Sequence, residues 1–313
     1  MLRFLLIRAA AMVATGLVVA MAVFFGLTVI PGDAARLMVG PEATPERYEA
    51  ARRALGLDRP WYARLADWLG RALRGDLGTS WRYPGWPVAT LLGQGLQVTF
   101  PLALLATLLA FLLGGLLGVA SAARLGQPQD LLLSGLAQLG LALPEFWLGI
   151  LFLLVFSVRL QLLPATGFPG WGEERAWAHL LLPGLTLALP RVAYFARLTR
   201  AVLADLLALE FVRTARAKGL PEGRVLFWHA LRNALLPLTA GLGLTFGRLL
   251  GGALVVERVF SLPGLGKYAL EAALGRDIPL LLGVAVLVAA AVTAVSTAAE
   301  ILYGFLDPRI RAP

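Results

Sequence analysis

The chain has 313 residues, of which 58% are hydrophobic and only 15% charged; 28 Lys+Arg against 19 Asp+Glu give a net charge of +9. With a mean hydropathy of +0.76, these figures exclude an ordinary soluble protein, in which about 25% of residues are charged. Zero cysteines exclude disulfides, Cys-ligated zinc, iron–sulfur clusters and thiol catalysis, and two histidines, His179 and His229, are too few for a His-based metal site. No basic run with interleaved aromatics points to nucleic acid, so the basic excess reads as membrane topology, with the lipid bilayer as its partner.

A spanning helix needs about 20 mostly apolar residues at about 1.5 Å each. The first candidate is the uncharged stretch Ala9 to Gly32, behind Arg3 and Arg8. Ala20-Met21-Ala22 resembles a signal-peptide cleavage site, but the apolar run continues through Val29, past a usual signal core, so an uncleaved helix is expected. The segment from Asp33 to Arg82 has soluble-helix grammar. Thr44-Pro45-Glu46 supplies a cap, a first-turn proline and a first-turn acid, and Gly56 can end that helix. A second helix is expected from Pro60-Trp61 to before Gly75, giving a small outer cap over Pro41 to Tyr83. Further spans are expected at Gln97 to Ala122, at Leu131 to Val158 with an interruption at Pro144-Glu145, at about Leu180 to Leu203, at about Ala234 to Val256, and between Asp277 and Glu300. That predicts an all-α, polytopic protein with six transmembrane helices.

Lys and Arg orient it. The segment Arg197 to Arg232 holds seven basic residues against three acidic ones, so it reads as cytoplasmic, as do both termini, with Arg309 and Arg311 at the end. The Arg-rich outer segment is long, and long loops translocate largely regardless of charge.

Enzyme motifs fail on their chemistry. Ser261 to Tyr268 approaches a phosphate-binding loop, but it lacks the first glycine, places Tyr268 where a Mg-binding hydroxyl belongs and falls on the outer side. It reads as a tight turn before the sixth helix. Ser134 lacks the glycines of a nucleophile elbow, His179 reads as interfacial, and His229 sits on an amphipathic cytoplasmic helix. Gly114 and Gly118, and likewise Gly243, Gly247 and Gly251, recur every four residues and predict close helix packing.

Two charges fall where the membrane should be driest: Glu145 beside Pro144 and Arg191 beside Pro190, each about 15–20 Å deep at about 1.5 Å per residue. A lone charge at that depth costs about 2.5–3.5 kcal/mol. The two either pair directly, fixing the angle between their helices, or both line a translocation pathway; Arg248 is a third pathway candidate that can also snorkel.

Glu210 to Leu220 follows the fourth span directly. Its small alanines and cations predict a short helix stopped by Gly219, after which Pro221 starts a second helix running into the fifth span. Here the sequence resembles the inner-membrane permeases of binding-protein-dependent ABC importers, and more closely the B-type subunit of the dipeptide/oligopeptide/nickel family. The resemblance runs through Pro31-Gly32-Asp33, Gly56 to Pro60, Gly75 to Ser80, Arg213 to Leu220, His229 to Pro237, Gly251 to Glu257, Pro263 to Gly266 and Asp307-Pro308-Arg309.

The resemblance implies a type I importer permease fold. It divides the chain into an N-terminal helix plus outer cap over 1–95 and a five-helix transmembrane domain over 96–307, with a coupling loop at about 205–232. In that loop Glu210, Arg213, Thr214, Ala215, Arg216, Ala217, Lys218, Gly219 and Leu220 would dock on an ATPase. Arg213 stands where the general motif has Glu, Thr214 where it has Ala, and the Gly219-to-Pro237 spacing is longer, as in the peptide-permease branch. The implied partners are a second permease, two ABC ATPases that carry the ATP and Mg, and an external solute-binding protein. No cofactor is expected in this chain, and no catalysis. The rival reading is an autonomous secondary transporter or channel, for which internal inverted repeats would be the sign; none is clear.

Overall fold

Charge-free runs of Leu, Ala and Val coil into helices because, away from water, a backbone can satisfy its carbonyls only with its own amides. The computed structural model describes the backbone over 2–29 and 32–306, with side chains over 6–29 and 32–301. Pro31, Asp307, Pro308, Arg309, Arg311 and the terminal residues lie outside the described residues. In chain order the helices are α1 (Leu2–Val29), α2 (Ala34–Val39), α3 (Pro45–Ala54), α4 (Trp61–Ala72), α5 (Val88–Ala122), α6 (Pro128–Ala142) and α7 (Glu145–Phe152), which widens into a π-turn at Leu153–Arg159. Then come α8 (Ala178–Leu207), α9 (Glu210–Ala217) and α10 (Glu222–Arg224), which passes through a second π-turn at Val225–Ala230 into α11 (Leu231–Gly252). α12 (Leu254–Val259), α13 (Leu265–Leu274) and α14 (Ile278–Leu306) complete the order.

Among the described residues, α1, α5, α8, the α10–α11 run and α14 are each long and apolar enough to cross a membrane, and α6 with α7 makes a sixth crossing if counted as one broken span. The expected third span is therefore corrected. It is not one interrupted helix but two, meeting at 96°. Pro144 pushes the residue before it out of the helical region, and Leu143 is indeed extended, at φ −79 and ψ 127. Glu145 opens α7 instead of lying mid-helix, so a depth reckoned along a straight helix does not apply to it. A second correction concerns the fifth span, expected to reach Val256. α11 ends at Gly252, where the weak helix formers Gly251 and Gly252 give out, and α12 follows as a separate helix. The turn expected before the last span is present at 260–261, but α13 intervenes between it and α14.

Contacts divide the chain into two compact units, Met1–Phe100 with Leu262–Ala294, and Pro101–Ser261 with Val295–Pro313. α5 and α14 contribute to both.

In the first unit, Thr44 caps α3 by accepting from Arg47 N at 3.5 Å, and Asp33 caps α2 by accepting from Ala35 N at 2.8 Å. The Tyr48 hydroxyl of α3 donates to the same Asp33, tying the two short helices together. α4 lays Leu65 and Trp68 on Ala20 and Phe24 of α1 and Leu282 of α14. A second cluster packs Val88, Leu91 and Leu92 of α5 against Leu265, Tyr268 and Ala272 of α13 and Leu280 and Val284 of α14. Asp277, fully buried, caps α14 at Leu280 N (3.0 Å) and also accepts from Ser80 Oγ (2.5 Å) and Arg82 N (2.9 Å).

In the second unit α8 is the central helix. α5 approaches it through glycine, α6 and α7 pack along it, and α11 packs beside it. A Cβ added at Gly114 would lie 2.5 Å from Val192 O and 2.6 Å from Phe195 Cβ; one at Gly118 would lie 2.5 Å from Thr199 Cβ and 2.6 Å from Ala196 O. Backbones this close need glycine. Below that seam, Val119 and Ala122 pack with Leu203 of α8, Leu226 and Ala230 of the π-turn, and Ala234 and Leu238 of α11.

Candidate functional site

α9 is a two-turn helix with two unlike sides. Val212 and Ala215 are buried against Val225 of the π-turn, flanked by Leu207 and Leu220. Glu210, Phe211, Arg213, Thr214, Ala217 and Lys218 are all exposed on the other side. Thr214 Oγ1 bonds back to Glu210 O at 3.0 Å, and Arg213 pairs with Glu210 at 2.8 Å on the open surface. Gly219 stops the helix at φ +75, and its amide returns to Arg216 O at 2.9 Å. Nothing lies within 4 Å of where its Cβ would be, so backbone conformation alone demands glycine. Arg216 grips Glu222 with two hydrogen bonds of 2.8 and 3.2 Å, stapling α9 to α10 across that turn. The site therefore presents a stiff, cationic surface helix whose underside is bolted to the start of a spanning helix.

Inside the second unit, Glu145 and Arg191 form an ion pair of 2.6 Å, and Arg191 also donates to Leu187 O at 2.8 Å. Their side chains are 30% and 20% exposed, so the pair is partly shielded and already satisfied. Arg248 is exposed on α11 with no partner among the described residues. Of the other glycines singled out, Gly243 packs tightly, its added Cβ falling 3.0 Å from Ala299 Cβ; Gly247 is buried and Gly251 exposed.

Sequence reasoning missed a second ion pair. Asp130, with a fully buried side chain, opens α6 and is clamped by Arg200 of α8 through Nε (2.6 Å) and Nη2 (2.7 Å). Ser121 Oγ at the end of α5 (2.5 Å), Gly126 N (2.9 Å) and Ser134 Oγ (3.5 Å) complete its shell. One carboxylate thus locks α5, α6 and α8 together. A third polar contact lies between the two pairs, where Arg197 Nη1 donates to Gln138 Oε1 at 3.3 Å. The available signal was Asp130 itself, an acid just after Pro128 at a helix start; its partner, 70 residues away, shows in no local pattern.

A chain that crosses a membrane repeatedly, keeps paired charges within it and shows a stiff helix on its surface is built as the membrane part of a transport machine. This chain belongs to the family of binding-protein-dependent transport system inner membrane components. That family's profile matches residues 110–312, and the N-terminal profile of the same transport systems matches residues 1–89. A putative peptide transport system permease protein of Brucella abortus is 37% identical over 99% of both chains. The glutathione transport system permease protein GsiC of Escherichia coli is 36% identical over 99% of both, and the oligopeptide transport system permease protein AppB of Bacillus subtilis is 39% identical over 90% of both. Among solved structures, an inward-facing MetNI methionine ABC transporter shares the fold, with a TM-score of 0.59 at 18% identity, covering 70% of this chain and 97% of that one. The chain is thus a multi-pass permease component with the importer fold that the sequence implied.

Proposed function

We propose that this permease forms half of the translocation pathway of an ATP-driven importer for peptides or a related small solute. It pairs with a second, similar permease; two ATPase subunits bind ATP and Mg and do the hydrolysis, and a solute-binding protein delivers cargo from outside. The relatives named for peptide and glutathione transport support that substrate class. The two matched profile segments support an N-terminal part over 1–95, helix plus outer cap, and a transmembrane domain over 96–307. In this reading the permease lies in the cytoplasmic membrane with both termini and the loop at about 205–232 inside.

The observation that carries the reading is α9. Its exposed side can enter a cleft on a cytoplasmic partner, while its buried side rests on Val225, in the π-turn that continues into α11. A push on α9 is thereby delivered to a spanning helix. Closure of the ATPases on ATP would shift α9, and through α11 and α8 switch access between the two faces of the membrane. The test is affinity purification of the tagged chain from mildly solubilised membranes. An ATPase and a second permease are expected to co-purify. Recovery of the chain alone, still competent for transport, would establish an autonomous transporter instead.

A further inference from the structure

α8 carries three arginines, and they are not equivalent. Arg191 is neutralised by Glu145 and Arg200 by Asp130. Arg197, exposed, meets only the neutral amide oxygen of Gln138, at 3.3 Å. No carboxylate partners it among the described residues. It sits about 15 Å from the C-terminal end of a 30-residue helix at about 1.5 Å per residue. This side of α8 is exposed near the cytoplasmic end of the expected span, where water can reach the guanidinium. It does open into a groove of about 580 Å³, floored by Tyr194, Arg197 and Leu198 and walled by Ser134, Gln138 and Leu141 of α6. That volume suits a small organic solute.

We propose that this groove is a solute subsite that receives a carboxylate of the transported molecule on Arg197. The subsite rests on the importer reading above and adds to it the chemical group recognised. Gln138 aims the guanidinium by accepting one N–H, leaving the other donors of a planar fork that matches a carboxylate. Tyr194 and Leu198 offer apolar floor beside it, so a molecule with one anionic end and a short organic body fits both halves. The two neutralised arginines fix the helices; the third keeps its charge for cargo.

The chain contains no cysteine, so a thiol can be placed in the groove as a probe. Ala201 is exposed one turn from Arg197, about 5–6 Å away between Cβ atoms. In membranes carrying the assembled transporter, Ala201→Cys is labelled with sulfonatoethyl and trimethylammonioethyl methanethiosulfonate, each rate normalised to a small free thiol. The anionic reagent is expected to be favoured by roughly tenfold, a preference kept in Arg197→Lys and lost in Arg197→Gln. N-acetylalanine is expected to slow the anionic reagent, and N-acetylalaninamide to leave it unchanged. Equal rates for the two reagents, equal effects of acid and amide, or no labelling by either because a partner subunit covers the groove would each overturn the subsite. Each of these readouts stands whether or not an ATPase co-purifies, so the importer reading can fail without it.

Discussion

Gly114 and Gly118 bring two helix backbones together, and their neighbour Gly115 shows how local that demand is. A side chain at 118 would collide with Thr199 Cβ at 2.5 Å and with the Ala196 carbonyl at 2.6 Å, neither of which can swing away, whereas nothing lies within 4 Å of a Cβ at 115. Gly118→Leu is expected to destabilise by more than the usual 1–3 kcal/mol of overpacking, lowering both yield and thermal stability in detergent. Gly115→Ala should leave both unchanged. Equal behaviour of the two variants would dismiss the seam. The α2–α3 junction has its own single-residue control. Burial pushes the Asp33 carboxyl up, but the Tyr48 hydroxyl and the amides of Ala35 and Arg36 together hold it below its ordinary value. A depressed carboxyl stabilises above its unfolded value and loses that contribution as it protonates, so the α2–α3 junction is expected to loosen below about pH 4. Limited proteolysis by an acid-active protease at about pH 3 should cut 34–54 a few-fold faster in wild type than at about pH 5, relative to a fixed reference substrate. Asp33→Asn should be cut at a similar rate at both; a wild type that shows no such change would remove Asp33 as the control.

At the scale of elements, the proposed coupling role rests on α9 and the turn behind it. Gly219 adopts φ +75 with open space around it, so a β-branched residue there costs backbone strain of about 1–2 kcal/mol and nothing else. Gly219→Val is expected to insert normally yet lose most substrate-stimulated ATPase activity in the assembled complex, while Gly219→Asn, which tolerates that conformation, keeps more of it. Full stimulation in the Val variant would remove α9 from the coupling role. α9 was legible in the sequence because its signals are local: Val212 and Ala215 share one face, and Gly219 closes the end. The same holds for Thr44 before α3 and for the uncharged windows that became α1, α5 and α14. Glu145 and Arg191 were legible for another reason, since charge inside a membrane must be compensated and few candidates exist. The Asp130–Arg200 clamp was not, because its existence depends on how α6 docks on α8. Nor was the 96° angle at Pro144: proline announces a break, but its size is set by what α7 packs against, here α8 and α12.

For the whole molecule the proposed direction has a simple readout. With no native cysteine in the chain, a thiol introduced at exposed Glu49 on α3 is its sole labelling site. In intact cells an impermeant maleimide is expected to reach Glu49→Cys and to miss Lys218→Cys; in inside-out vesicles the pattern should invert. Labelling of both from one side would refute the proposed topology. The break between α6 and α7 also has a consequence in time. A helix start leaves its first amides without carbonyls of their own, and at α7 the first such helical bond is Leu148 N to Pro144 O, 3.1 Å. The amides of Glu145, Phe146 and Trp147 precede it, at a break where a continuous helix would have sealed them. In heavy water they are expected to take up deuterium orders of magnitude faster than the amides of α8 at 192–199. Equal protection of the two stretches would show that the break is sealed. With uptake as expected, this break keeps a clock of its own, wetting and drying while the helices around it stay closed to solvent.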